Sequence, residues 1–122
     1  MAKHNKVGKW GEDIACEKLI SEGYAIVERQ WRLHHYEIDI IAMKGNRIVF
    51  VEVKTRTSDH NDPLDAITPK KISHMAVMAN AYMQQHETSL EPQFDIIGIT
   101  GNPDDFSLEH IKDAFFPPLK TY

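Results

Sequence analysis

Tyr36-Glu37-Ile38-Asp39-Ile40-Ile41-Ala42-Met43-Lys44, then Gly45-Asn46, then Arg47-Ile48-Val49-Phe50-Val51-Glu52-Val53-Lys54-Thr55 is the stretch that decides the fold. Two runs rich in β-branched residues flank a two-residue turn signal, which predicts a β-hairpin. Side chains alternate across a strand, so Phe50, Glu52 and Lys54 share one face of the second run. Val49, Val51 and Val53 form the other face, which is purely apolar. Such a strand belongs in the middle of a sheet, covered on both sides, with Glu52 and Lys54 at least partly inside. Charged side chains there need partners or a metal. A two-residue turn pairs position 44 with 47, and counting outward sets Asp39 beside Glu52 and Glu37 beside Lys54 as its ion-pair neighbour. Adjacent carboxylates repel unless a positive charge lies between them. Mg²⁺ commonly takes one or two carboxylates, with water and substrate phosphate completing its shell.

Outward from the hairpin, residues 5–22 read as a helix, with Gly8, Gly11, Ala15, Cys16 and Leu19 near helical spacing and Gly23 as its stop. Glu12 falls in the middle of that stripe, on the face expected to meet the sheet, where a carboxylate is unusual. The small residues would let the helix approach closely, and Glu12 would then complete an acidic cluster with Asp39 and Glu52. Tyr24 to Arg32 reads as a further strand. After the hairpin, residues 56–67 are polar and read as a loop. Thr68-Pro69 is an N-cap followed by proline at the first helical position, and the helix runs to about His86 with a stripe of Ile72, Met75, Ala76, Ala79 and Met83. Gln93 to Thr100 reads as the last strand, ended by Gly101-Asn102-Pro103. The tail reads as a short helix or irregular segment before Pro117-Pro118. The order α-β-β-β-α-β implies an α/β fold in which a mixed sheet is flanked by helices.

The chain has 122 residues, 42% hydrophobic and 26% charged, which suits one domain over 1–122. No apolar run is long enough to span a bilayer, and the polar start lacks a signal-peptide core. A single cysteine, Cys16, fits a reducing compartment, so a cytoplasmic location and no membrane partner are expected. The net charge of −4 argues against a protein that merely coats nucleic acid, since phosphate neutralisation needs Lys and Arg. Cations bound at an acidic site would reverse the sign locally.

A helix Glu, an Asp on one strand and Glu-x-Lys on the next together resemble the PD-(D/E)xK superfamily, which includes restriction enzymes and archaeal Holliday-junction resolvases. Closer still, Gly8-x-x-Gly11-Glu12, Gly23-Tyr24, Glu37-Ile38-Asp39-Ile40-Ile41, Phe50-Val51-Glu52-Val53-Lys54-Thr55-Arg56, Ala66-Ile67-Thr68-Pro69-Lys70-Lys71 and Phe94-Asp95-Ile96 resemble the YraN-like family. That family comprises small bacterial proteins described as endonucleases. The likeness implies a restriction-endonuclease-like fold over nearly the whole chain. It also implies Mg²⁺ or Mn²⁺ held by Asp39, Glu52, the Val53 carbonyl and Glu12, with Lys54 assisting phosphodiester hydrolysis. Two departures stand out: Gln30 lies where the pattern leads one to expect Asn, and Ile38 precedes Asp39 in place of the superfamily's proline.

Arg56, Lys70 and Lys71 are candidate phosphate contacts, with solvated surface charge as the alternative. Asp95 could support the site or cap a turn. Trp10 and Trp31 could stack on bases or simply pack. His34-His35 and His60 lack a second cluster at zinc-ligand spacing. The leading expectation is a metal-dependent nuclease whose partner is nucleic acid, DNA before RNA, with a homodimer or a protein partner also open. A non-catalytic binding module or repair-complex subunit competes with it, and a metal-independent scaffold with structural charges is a third reading.

Overall fold

A computed structural model describes residues 2–57 and 67–115, with side chains from residue 9 onward. Most of the expected loop, with His60 and Ala66, lies outside the described residues, as does Pro117-Pro118. The elements are α1 (Ala2–Ser21), β1 (Ala25–Leu33), β2 (Tyr36–Lys44), β3 (Arg47–Arg56), α2 (Pro69–Gln85), β4 (Glu91–Asn102) and β5 (Asp105–Ile111). They form one five-stranded mixed sheet in the order β1-β2-β3-β4-β5. Only β3 and β4 run parallel, joined by α2 as the crossover. The α/β class and the first six elements match the sequence reading.

β5 corrects that reading, which ended the sheet at Gly101-Asn102-Pro103 and left the tail as a helix or irregular segment. The chain turns there instead and returns antiparallel to β4. Gly101 makes the turn possible: its φ is 124°, and a Cβ would lie 2.3 Å from the Asp105 carbonyl oxygen. β5 is an edge strand with mostly exposed residues, so it lacks the apolar signal that marks β3.

Two apolar layers hold the sheet. On the α1 side Ala15, Cys16, Leu19, Ile40, Ala42, Val49 and Val51 cluster with Ile97 and Ile99. On the α2 side Phe50, Ile41, Ile38 and Phe94 meet Met75, Met78, Ala79 and Tyr82. The face of β3 expected to be purely valine is the one under α1, and β3 is central. α1 comes in closely because Gly11 has no side chain: a Cβ there would meet Thr55 Oγ1 at 2.1 Å. The buried stripe of α2 is turned from the expected one, with Met78 and Tyr82 at the core in place of Ile72 and Ala76. Thr68 caps α2 as expected, its Oγ1 accepting from Lys71 N–H at 3.1 Å.

The hairpin turn has Gly45 at φ 61° while Asn46 keeps a negative φ, the pattern of a type II′ turn. Its ladder runs Lys44↔Arg47, Met43↔Ile48, Ala42↔Val49, Ile41↔Phe50 and Ile40↔Val51, the register counted from the sequence. There it stops, so the anticipated rungs 39/52 and 37/54 do not form.

Candidate functional site

Beyond Ile40↔Val51 the strands β2 and β3 diverge, and Asp39 sits at the opening. On the other side of β2, rungs join Arg29 to Ile40 and Trp31 to Ile38, but none joins Gln30 to Asp39. Ile38 belongs to the α2-side layer and Ile40 to the α1-side layer, so the alternation of β2 resets at Asp39. Asp39 Oδ2 accepts the Val53 N–H at 2.8 Å, replacing the missing rung with a side-chain bond. In a strand the N–H and C=O of one residue point to the same edge, so the Val53 carbonyl also faces this gap.

Asp39, Glu52, Val53 and Lys54 line a cleft of about 370 Å³ with His35, Tyr36 and Glu37 on one side and Lys71, His74, Met75 and Met78 of α2 on another. The cleft opens at the C-terminal half of β3 and the N-terminal end of the crossover helix, where open α/β sheets tend to bind ligands. Burial, and next the charge of Glu52, push the Asp39 carboxyl up from 3.8 to about 8. Glu52 is relieved from outside the hairpin: Lys71 Nζ lies 2.9 Å from Glu52 Oε2.

The remaining expectations meet the structure unevenly. Lys54 is exposed at the lip of the cleft rather than partly inside. Its expected neighbour Glu37 pairs with Arg32 at 3.2 Å, because those two are opposed on the β1–β2 ladder while β3 has turned away. Glu12 is buried at 5% exposure, yet it does not turn into the cleft. Its oxygens accept from Arg29 Nε at 3.0 Å and Gln30 Nε2 at 3.2 Å on the α1 side of the sheet. Its charge reaches Asp39 only as a minor influence, after burial and Glu52. Among the described residues no three His, Cys, Asp or Glu side chains are gathered to hold a metal ion. The residues that would hold a hard cation are therefore the pair Asp39 and Glu52 with the Val53 carbonyl, a set that leaves the rest of such a cation's shell to water and phosphate.

Of the expected phosphate contacts, Lys70 is exposed, Lys71 reaches Glu52, and Arg56 Nε donates to Thr100 Oγ1 at 3.3 Å. Asp95 is fully buried and accepts from Gln93, His110 and the Asp113 N–H, which fastens β5 and the turn after it rather than the cleft. Trp31 packs edge-on against Tyr82, and Trp10 against Phe106. The sequence reading missed His74 and the direction of Lys71. The signal was there: Lys71 precedes the core residues Met75 and Met78 by four and seven positions, which sets all three on one helical face.

The Gln30 departure also has a structural setting. Gln30 adopts φ 50°, a left-handed conformation that Asn tolerates better, while its longer amide reaches Glu12.

The profile of the uncharacterised protein family UPF0102 matches residues 11–99, a span that carries every carboxylate and lysine just described. The chain belongs to the UPF0102 family. A UPF0102 protein of Bacteroides fragilis is 44% identical over 120 residues, covering 98% of this chain and 99% of that one. One from Flavobacterium johnsoniae is 46% identical over 121 residues, covering 95% and 98%. One from Parabacteroides distasonis is 39% identical over 121 residues, covering 98% and 100%. Membership in UPF0102 meets the YraN-like resemblance at the level of the family; these names carry no activity. Among the described residues no helix is long and apolar enough to cross a membrane.

Proposed function

We propose that this chain is a restriction-endonuclease-like, metal-dependent nuclease that hydrolyses nucleic-acid phosphodiesters in the cytoplasm, on DNA in preference to RNA. The observation that carries the reading is the convergence of Asp39, Glu52, Lys54 and Lys71, from three separate elements, on one cleft. Two carboxylates pressed together beside two lysines suit a cation plus a phosphate better than they suit a structural ion-pair network. Asp39, Glu52 and the Val53 carbonyl would hold Mg²⁺ or Mn²⁺. That cation supplies activation of the attacking water and neutralisation of charge growing on the phosphate. Lys54, exposed at the lip, would reach the phosphate and stabilise the developing negative charge. Lys71, once its carboxylate partner is otherwise neutralised, becomes a phosphate contact, with Lys70 outside it. The preference for DNA, including branched forms, rests on the likeness to restriction enzymes and junction resolvases.

Metal linkage tests the site. Millimolar Mn²⁺ or Mg²⁺ raises the melting temperature of the wild type, because a ligand that binds only the native state stabilises it. Glu52→Ala abolishes the rise; a wild type that does not respond to either metal removes the metal site. Cleavage of linear, flapped and four-way-junction DNAs, with Lys54→Ala as control, tests the reaction. The Arg29 and Gln30 contacts that hold Glu12 away from the cleft favour a second reading, a non-catalytic nucleic-acid module working with a protein partner or as a homodimer. Binding without cleavage under every metal would select it.

A further inference from the structure

The mouth of the cleft carries an aromatic pair that phosphate chemistry does not use. Tyr36 at the start of β2 and His74 on α2 face each other with ring centroids 4.0 Å apart at 36°. The His35 ring lies 6.1 Å from Tyr36 at 73°, near an edge-on arrangement. All three line the same cleft as Asp39, Glu52, Lys54 and Lys71. Phe50, Tyr82 and Phe94 of this face are core residues and Trp31 and Phe115 pack partly buried against them, whereas Tyr36 keeps 37% of its surface open. An aromatic ring left this open beside lysines and carboxylates offers a flat apolar surface within reach of a charged strand.

We propose that Tyr36, backed by His74, is a stacking platform for an unpaired base next to the phosphate held in the cleft, so that the substrate is single-stranded or locally unpaired nucleic acid rather than intact duplex. The inference rests on the proposed reading that the cleft receives a nucleic-acid phosphodiester. Lysines place a phosphate without regard to base pairing, but a base inside a duplex already has both faces covered by its neighbours. Only a base out of the stack presents a face to Tyr36, and stacking on an aromatic side chain tolerates any base identity. The backing by His74 holds the Tyr36 ring in place before a strand arrives, which lowers the ordering cost of binding.

The test measures fluorescence anisotropy of a labelled single strand and of a blunt duplex of the same sequence. Ca²⁺ replaces Mg²⁺ so that binding is read apart from cleavage. The wild type binds the strand more tightly than the duplex. Tyr36→Ala weakens strand binding by about tenfold or more, the loss of one stacked base, and leaves duplex binding unchanged; the lost packing on His74 lowers the melting temperature by several degrees, and the protein stays folded at the assay temperature. Tyr36→Phe keeps strand affinity within about twofold of the wild type, since the ring and not the hydroxyl supplies the platform. Equal affinity for strand and duplex in the wild type overturns the proposal, as does a Tyr36→Ala loss shared equally by both. Absence of binding to either nucleic acid overturns the proposed function itself, and the platform with it.

Discussion

At Asp39 a partly buried carboxyl, desolvated beside Glu52, carries a conflict that an added positive charge resolves. Burial and the neighbouring Glu52 raise it from 3.8 to about 8, so in the chelated protein it holds its proton at neutral pH. A carboxyl raised in this way favours the native state below the ordinary value, where folded and unfolded forms are both protonated. Above it the unfolded chain gains by ionising, so stability falls as pH climbs from about 4 to about 8. Asp39→Asn keeps an oxygen to accept the Val53 N–H and removes the titration. The expected outcome at pH 8, with metal chelated, is a melting temperature higher than wild type by on the order of 5 °C. At pH 4 the two proteins converge, and the variant no longer responds to Mn²⁺. Melting curves across that pH range check this; an Asp39→Asn variant less stable than wild type at pH 8 would show that the carboxylate is settled by its surroundings. A site residue that destabilises its own fold is the usual mark of functional constraint.

Among the elements, α1 and β3 are locked together where Gly11 meets Thr55, one residue after Lys54. Alanine is the better helix former by up to about 1 kcal/mol, but at 2.1 Å from Thr55 Oγ1 its Cβ must push the strand or the helix aside. Overpacking wins, and Gly11→Ala lowers unfolding stability by about 1–3 kcal/mol. Adding Thr55→Ala to it restores part of the loss, which urea unfolding of the double-mutant cycle reads directly. This contact also bears on what could be read from the chain itself. Turn length, alternation and small residues at helical spacing are local properties, and from them the hairpin register up to Ile40↔Val51, the central place of β3 and the close approach of α1 were all legible. The end of that ladder was not: the 39/52 and 37/54 rungs expected from the turn do not form, because the ladder breaks where Gln30 takes a left-handed φ and Asp39 resets the alternation of β2. The direction of Glu12 depended on Arg29 of β1, a competitor for its charge that no periodicity reveals. Lys71 reaches Glu52 only through the crossover, and β5 hides because an edge strand needs little apolar surface.

For the whole molecule, charge sets the character of binding. The net charge is −4, and among the described residues the lysines at the cleft are Lys54 and Lys71, with Lys70 outside. On the single strand proposed above, about two neutralised phosphates give a logarithmic salt slope of about −1.4. Titrations of a labelled oligonucleotide between low and moderate salt check that value, and a slope near −6 would point to a broad basic footprint elsewhere on the surface. Weak, shallowly salt-dependent binding suits a protein that acts beside a partner already holding the nucleic acid. The Gly45-Asn46 turn has a consequence for heredity as well. One residue gained or lost there would slip the strands by one position, bringing the valines of β3 toward the cleft and turning Glu52 and Lys54 under α1. The hairpin can therefore drift by substitution but not by change of length. Insertions and deletions that lineages accumulate will be tolerated at other connections, while this one stays two residues long.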